Sequence, residues 1–248
     1  MMYGYGNSMF LFNNGIIATP AANPLWDNLY AAYKAESNAN DELGVYNGTA
    51  QGGLTYGTGK DGNAFVFNGT NARVDLTAGG FNSLTGDFSV SAWVLFPTGY
   101  VGGDAIPVFA NMSATSWLSA AGGFWLTIFG DVIQFRIGDK TTTPILTYAT
   151  AYSMGYDTLF NVVITRKAGL RSRIYLNGSL VASDTSSVDP VYYTSGVNLT
   201  TPSVGAIKMP NGVQDGYYAP NNTKIDELYV WNKELTSTEV TELQTTFY

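Results

Sequence analysis

The chain has 248 residues, room for one large β domain or two small ones, and its net charge of −7 with only 12% charged residues argues against nucleic acid as a partner. It has neither cysteine nor histidine, which removes thiolate metal sites, disulfides, a cysteine nucleophile, and both the commonest general base and the commonest metal ligand. Tyr, Phe, Thr, Asn, Gly and Ser fill the place of the missing charge, a composition of strands and polar turns rather than of helices.

Residues 1–24 read as an arm, uncharged and rich in Gly, Asn and aromatic residues, ending in Thr19-Pro20-Ala21-Ala22-Asn23-Pro24. No Lys or Arg occurs in residues 1–26, so the basic start of a secretory leader is missing. The apolar run Met9-Phe10-Leu11-Phe12 breaks at once on Asn13-Asn14-Gly15, and no run approaches the ~20 residues of a membrane span. Membrane insertion is therefore not expected, and if the protein leaves its cell it is expected to do so without a conventional leader, for example by lysis or inside an assembled particle. Phe10, Leu11, Phe12, Ile16 and Ile17 make the arm too apolar for simple disorder. It either packs on its own domain or docks on a partner.

Residues 25–35 read as a short amphipathic turn or strand, and 38–44 as a polar loop. Asn47-Gly48-Thr49 opens a Gly-rich stretch that runs to Gly62. Residues 64–68 and 73–76 form strands about the turn Asn68-Gly69-Thr70-Asn71. Phe88, Val90, Ala92, Val94 and Phe96 alternate along a central strand. Residues 124–129 and 132–137 form a hairpin about Gly130-Asp131. Phe160, Val162 and Ile164 mark another strand, and residues 173–182 a hairpin about Asn177-Gly178. Residues 204–207 form a short strand. Arg166, Lys167, Arg171 and Arg173 surround Ala168-Gly169-Leu170 and read as a solvated edge where two strand ends meet.

The chain closes on a strand at 225–231, where Ile225, Glu227, Tyr229 and Trp231 alternate with Asp226, Leu228 and Val230. Thr236 and Glu239 form a capping box, and Leu235 and Val240 the matching hydrophobic staple. Many short strands, frequent turns and almost no helix predict an all-β fold, a two-sheet antiparallel jelly-roll sandwich with a short C-terminal helical turn. No internal repeat occurs, and no linker interrupts residues 40–248. The expected organisation is an arm over 1–24 and one domain over 25–248.

Several of these pieces in this order resemble a known family. They are Asn47-Gly48-Thr49, Gly62-Asn63-Ala64-Phe65-Val66-Phe67-Asn68-Gly69-Thr70, Asp87-Phe88-Ser89-Val90-Ser91-Ala92-Trp93-Val94, Arg173-Ile174-Tyr175-Leu176-Asn177-Gly178-Ser179-Leu180-Val181, Val204-Gly205 and Ile225-Asp226-Glu227-Leu228. Together they resemble the laminin-G-like jelly-roll branch of the concanavalin A-like lectin/glucanase superfamily, over about residues 25–248. The resemblance implies a lectin-like fold used by sugar-binding modules, glycosidases, adhesion domains and modules of phage particles. It also implies one structural calcium between an early loop and the last strand, near Asp41, Asn68 and Asp226.

Retaining glycosidases need two carboxyl groups about 5 Å apart. In a regular strand the adjacent Asp226 and Glu227 would point to opposite faces. No Ser-x-x-Lys or nucleophile elbow is present, so the chain is expected not to be an enzyme. Sugar binding would use exposed aromatic residues in loops, and Tyr100, Trp117, Tyr217 and Tyr218 are the candidates. The alternative is that these aromatics cover the sandwich or form a subunit contact. Trp93, Trp125 and Trp231 lie in strands and are expected in the core. The expected function is a structural and binding module of a phage particle: a capsid decoration, head-fibre or tail-associated protein. Its arm would dock on other virion proteins or a sister subunit in a homo-oligomer, and its loops would meet host glycans. The alternative is a free, extracellular carbohydrate-binding lectin or adhesion module.

Overall fold

The computed structural model describes residues 23–99, 105–113, 122–129, 132–139, 145–148, 155–185, 189–192, 202–207 and 217–248. A 3₁₀ turn, Pro24–Trp26, leads into β1 (Leu29–Tyr33), β2 (Thr49–Gln51), β3 (Thr55–Thr58), β4 (Asn63–Val66) and β5 (Arg73–Asp75). The central strands are β6 (Phe88–Leu95), β7 (Ala105–Ser113), β8 (Gly122–Phe129), β9 (Val132–Asp139) and β10 (Ile145–Tyr148). Then come β11 (Leu159–Lys167), β12 (Arg171–Leu176), β13 (Ser179–Asp184), β14 (Ser203–Val204), β15 (Lys224–Trp231) and the helix α1 (Ser237–Glu242).

These strands make two antiparallel sheets. The first runs β13-β12-β11-β6-β15-β4-β3, with β1 also paired to β15; the second runs β10-β9-β8-β7-β14-β5-β2. The alternation read from the sequence is the alternation that fills the space between them. Phe88, Val90, Ala92 and Val94 of β6 meet Phe124, Leu126 and Ile128 of β8 and Ile133, Phe135 and Ile137 of β9. Phe88 and Phe124 lie 4.4 Å apart by ring centroids within this core. The Asn177-Gly178 turn has φ of 47° and 79°, the left-handed pair that a two-residue hairpin requires. Phe129 pairs directly with Val132, so β8 and β9 are joined by the expected two-residue connection.

The structure departs from the sequence reading at several points. Strand β7 has no counterpart in that reading. Pro107 interrupts its pattern, and its register with β8 slips between Pro107 and Phe109. The Gly-rich stretch contains two short strands, β2 and β3. Arg166 is buried rather than solvated, bonding to Gly86 O and Asp189, while Lys167 pairs with Asp87. Arg171 makes a two-pronged pair with Glu234 at 2.8 and 2.9 Å. The basic cluster is thus neutralised by carboxylates and presents no cationic patch.

The three strand tryptophans are buried, but none lies in the core between the sheets. Trp93 follows Ala92 and precedes Val94, so it points outward from the first sheet, where the Lys60 ammonium sits 4.1 Å from its ring centre. Trp231 packs on the same outer side with Tyr229, Leu25, Val240 and Leu243. Trp26 stacks over it at 6.0 Å, and the Trp231 indole N–H donates to Leu25 O at 2.8 Å. The beginning and end of the described chain therefore close together over one outer face. The capping box forms as read: Glu239 N donates to Thr236 Oγ1, Thr236 N donates to Glu239 Oε2, and both staple residues are buried.

Strand β15 does not keep the alternation read from its sequence. It pairs with β4 at Lys224 and Ile225, then with β1 from Leu228 onward. Its register with β6 slips between Asp226 and Tyr229, and Glu227 takes a φ of 46°. This is a β-bulge at the point where the strand changes neighbours. Beyond it the faces are exchanged. Ile225, Leu228 and Val230 join the inter-sheet core, while Tyr229 and Trp231 face outward.

Candidate functional site

Strands β8 and β9 carry a second set of side chains on the face opposite the core. Trp125 and Thr127 stand across from Arg136 and Gln134 in the ladder. Phe129 stands across from Ala105 of β7. Tyr217, from beyond β14 in the chain, is brought beside them by backbone pairing. Ile207 N donates to Tyr217 O at 3.2 Å, and Ala206 bridges to Tyr218. The result is a groove of about 180 Å³ lined, among the described residues, by Ala105, Trp125, Thr127, Phe129, Gln134, Arg136, Ile207 and Tyr217. That is small beside the roughly 300–1,000 Å³ of sites that enclose a drug-sized ligand, and suits one ring-sized group.

The floor and rim differ in character. Trp125 is 1% exposed and packs with Ala110, Met112 and Ile207 into a cluster separate from the main core. The Arg136 guanidinium sits 5.7 Å from the Trp125 ring centre, within cation–π range. Phe129 and Tyr217 at the rim are 41% and 38% exposed. Among the described residues only three aromatic side chains reach that exposure, and these are two of them; Tyr156 is the third.

Arg136 is the one charged residue among the described residues of the lining. Its Nη2 donates to Gln134 Oε1 at 3.0 Å, while its Nε is buried with no hydrogen-bond partner. Leaving such a donor unmet costs about 1–3 kcal/mol. Partial burial lowers the Arg136 pKa, because desolvation disfavours a cation, and the guanidinium still stays protonated at any physiological pH.

Of the four aromatic candidates, Tyr217 is at the groove. Tyr218 is half-buried in the bridge to Ala206 and is not part of the lining; Tyr100 and Trp117 lie outside the described residues. Sequence reasoning misses Phe129, Arg136, Gln134 and Thr127. The signal for them is the second face of the hairpin pattern: Trp125, Thr127 and Phe129, then Gln134 and Arg136, out of phase with the core residues.

The calcium candidates are not brought together. Asp41 accepts from the amides of Ala32 and Leu43 at Oδ1 and of Val45 and Tyr46 at Oδ2, which ties its own loop. Asn68 Oδ1 accepts from the amides of Thr70, Asn71 and Ala72. Asp226 accepts from Lys60, Asp61 and Glu227 amides. The three share no partner, and oxygens filled by N–H donors do not make a cage of oxygen ligands for a hard cation. Among the described residues no group of three acidic side chains is placed to hold a metal. This donor set does not fit calcium.

The bulge makes a second unusual site. Asp226 and Glu227 are both fully buried, and neither Glu227 oxygen has a hydrogen-bond partner. Burial pushes the Asp226 carboxyl up to about 6 against the pull of its three amide donors. Burial, then the neighbouring Asp226, pushes Glu227 up to about 9. At neutral pH the pair therefore holds one ionised and one protonated carboxyl.

The sequence over residues 68–241 matches the family Laminin_G_3, described as the concanavalin A-like lectin/glucanases superfamily. The chain belongs to this superfamily. Its sandwich is similar to domain 4 of AbnA, a GH43 extracellular arabinanase from Geobacillus stearothermophilus, solved with arabinotriose: TM-score 0.63, 20% identity, 88% of this chain and 98% of that one. It is also similar to the binding domain of botulinum neurotoxin DC in complex with SialylT, at TM-score 0.64 and 17% identity over 89% of this chain and 52% of that chain. The binding domain of botulinum neurotoxin serotype C1 gives a TM-score of 0.67 at 18% identity over the same shares. The chain spans about half the length of the neurotoxin chains that it matches. At these identities the likeness establishes the fold. No curated protein matches the sequence significantly.

Proposed function

We propose that this superfamily member is a non-enzymatic glycan-binding module carried on a phage particle, and that the groove between β8, β9 and Tyr217 is its sugar site. The carrying observation is the coincidence of two of the three exposed aromatics among the described residues with an Arg, a Gln and a Thr at one groove on an outer face. Apolar ring faces take the C–H side of a sugar, and the polar groups take its hydroxyls. A use of this kind is in keeping with the arabinanase domain solved with arabinotriose.

The buried acids give no support to hydrolysis. Asp226 and Glu227 are at the bulge of the first sheet, shut off from solvent, whereas the groove is on the second sheet and contains no carboxylate among its described lining. The particle setting is supported by sequence character: an uncharged, aromatic-rich segment at 1–24 beside a lectin-like body. That segment would dock on other virion proteins or on a sister subunit of a homo-oligomer.

A glycan array with the purified protein tests the sugar site. Saturable binding that Tyr217→Ala and Phe129→Ala each weaken at least tenfold is expected. Binding that both variants leave intact would move the site elsewhere. Deleting residues 1–24 tests the setting: loss of particle incorporation is expected, and full incorporation of the truncated chain would favour a free lectin.

A further inference from the structure

We infer that the groove selects saccharides bearing a carboxylate, a uronic acid or another acidic sugar, with Arg136 as the group that recognises the charge. The inference rests on the groove being the sugar site and adds the class of sugar.

Four observations carry it. First, among the described residues the lining holds a single charged group, and that group is positive in a chain whose net charge is −7. Second, every cation of the β11–β12 hairpin cluster has a carboxylate to hold it, whereas no carboxylate pairs with Arg136 among the described residues. Its one hydrogen bond among the described residues goes to the neutral Gln134, and its Nε is buried unmet. A guanidinium is a planar fork that matches a carboxylate with two parallel N–H bonds, and its Nη groups, rather than the buried Nε, would meet an acidic sugar in the groove.

Third, the head group is held in place before any ligand arrives. It is a neighbour of Trp125 across the ladder, lies over that ring, and is tied at Nη2 by Gln134. Preorganisation of this kind reduces the ordering cost of binding. Fourth, Phe129 and Tyr217 stand at the rim of the same small groove, so a ring stacked on either would bring its substituent within reach of one cation. The overall negative charge of the protein opposes an anionic ligand only weakly, because charges beyond about 8 Å are screened at physiological salt.

The test compares trigalacturonic acid with its methyl ester, the same trisaccharide without charge, and with sulfated trigalactose. Titration calorimetry is run at low and at physiological salt. The acid is expected to bind the parent about 10- to 100-fold more tightly than the ester, and more weakly as salt rises. Arg136→Gln is expected to erase that preference, and Arg136→Lys to restore part of it, since a lysine keeps the charge without the fork. Gln134→Glu places a carboxylate where Gln134 already meets Arg136. It is expected to abolish acid binding while thermal unfolding shows an intact fold.

Equal binding of acid and ester, with both lost in Tyr217→Ala, would overturn the charge inference and leave the sugar site standing. Tighter binding of the sulfated probe than of the acid would overturn the choice of carboxylate. An absence of any saccharide binding, on these probes and on the array, would overturn both readings together.

Discussion

Glu227 makes stability depend on pH in a range where proteins are usually indifferent to it. The residue is fully buried at the bulge, without a hydrogen-bond partner for either oxygen, and burial beside Asp226 pushes its carboxyl from 4.5 up to about 9. Unfolding exposes it to water, where it ionises above its ordinary value. Between these values the native state holds a proton that the unfolded state has released. Stability is then full below the unfolded value and falls as pH rises toward the folded one, by about 1.4 kcal/mol per pH unit. Asp226 acts in the same direction, but its carboxyl is raised only to about 6, so its share is spent by that pH. The chain has no histidine, so no other side chain ordinarily titrates between pH 6 and 8.

Over those two units the parent is expected to lose about 3 kcal/mol, or roughly 6–12 °C in Tm for a domain of this size. Glu227→Gln keeps the shape and cannot ionise, so its stability is expected to be flat over the same interval. At pH 8 the variant is expected to be the more stable protein by a few kcal/mol, after allowing about 1–3 kcal/mol for a buried amide without partners. Urea unfolding at pH 6, 7 and 8 measures this, with m unchanged as the sign that both proteins unfold the same structure. A parent curve that is flat from pH 6 to 8, or a variant that keeps the parent's slope, would refute the buried neutral acid.

Gly205 has a φ of 76°, and a side chain there would overlap the Phe67 ring, so Gly205→Ala is expected to cost more than about 2 kcal/mol in urea unfolding. A loss under about 0.5 kcal/mol would show that this approach is not tight. Chelation with EDTA is expected to leave Tm within about 1 °C, because no linked ion is lost when the carboxylates are held by amides. A drop of several degrees, reversed by added calcium, would show an oxygen cage in the folded protein.

Much of the fold was legible in the sequence because its signals are local. Alternation in 88–96 and 124–137 depends on the two-residue period of a strand, and Asn177-Gly178 on a turn that needs positive φ at both positions. The Thr236–Glu239 box is closed within four residues. Strand β7 was not legible, since Pro107 and a register slip break its period. The buried state of Trp93, Trp125 and Trp231 followed from their being apolar residues in strands. That all three face away from the inter-sheet core did not, because the period shows two faces without showing which one meets the other sheet.

The sequence by itself determined that this chain is a two-sheet sandwich, where its hairpins turn and how its end is capped. Only the tertiary structure decided the two sites. The bulge at Glu227 arises where β15 exchanges β4 for β1, strands about 160 and 200 residues away in the chain. The groove needs Phe129 and Arg136 from one hairpin and Tyr217 from a segment 80 or more residues later, brought back beside β14. Both depend on pairing between distant strands, which no local pattern of residue types encodes.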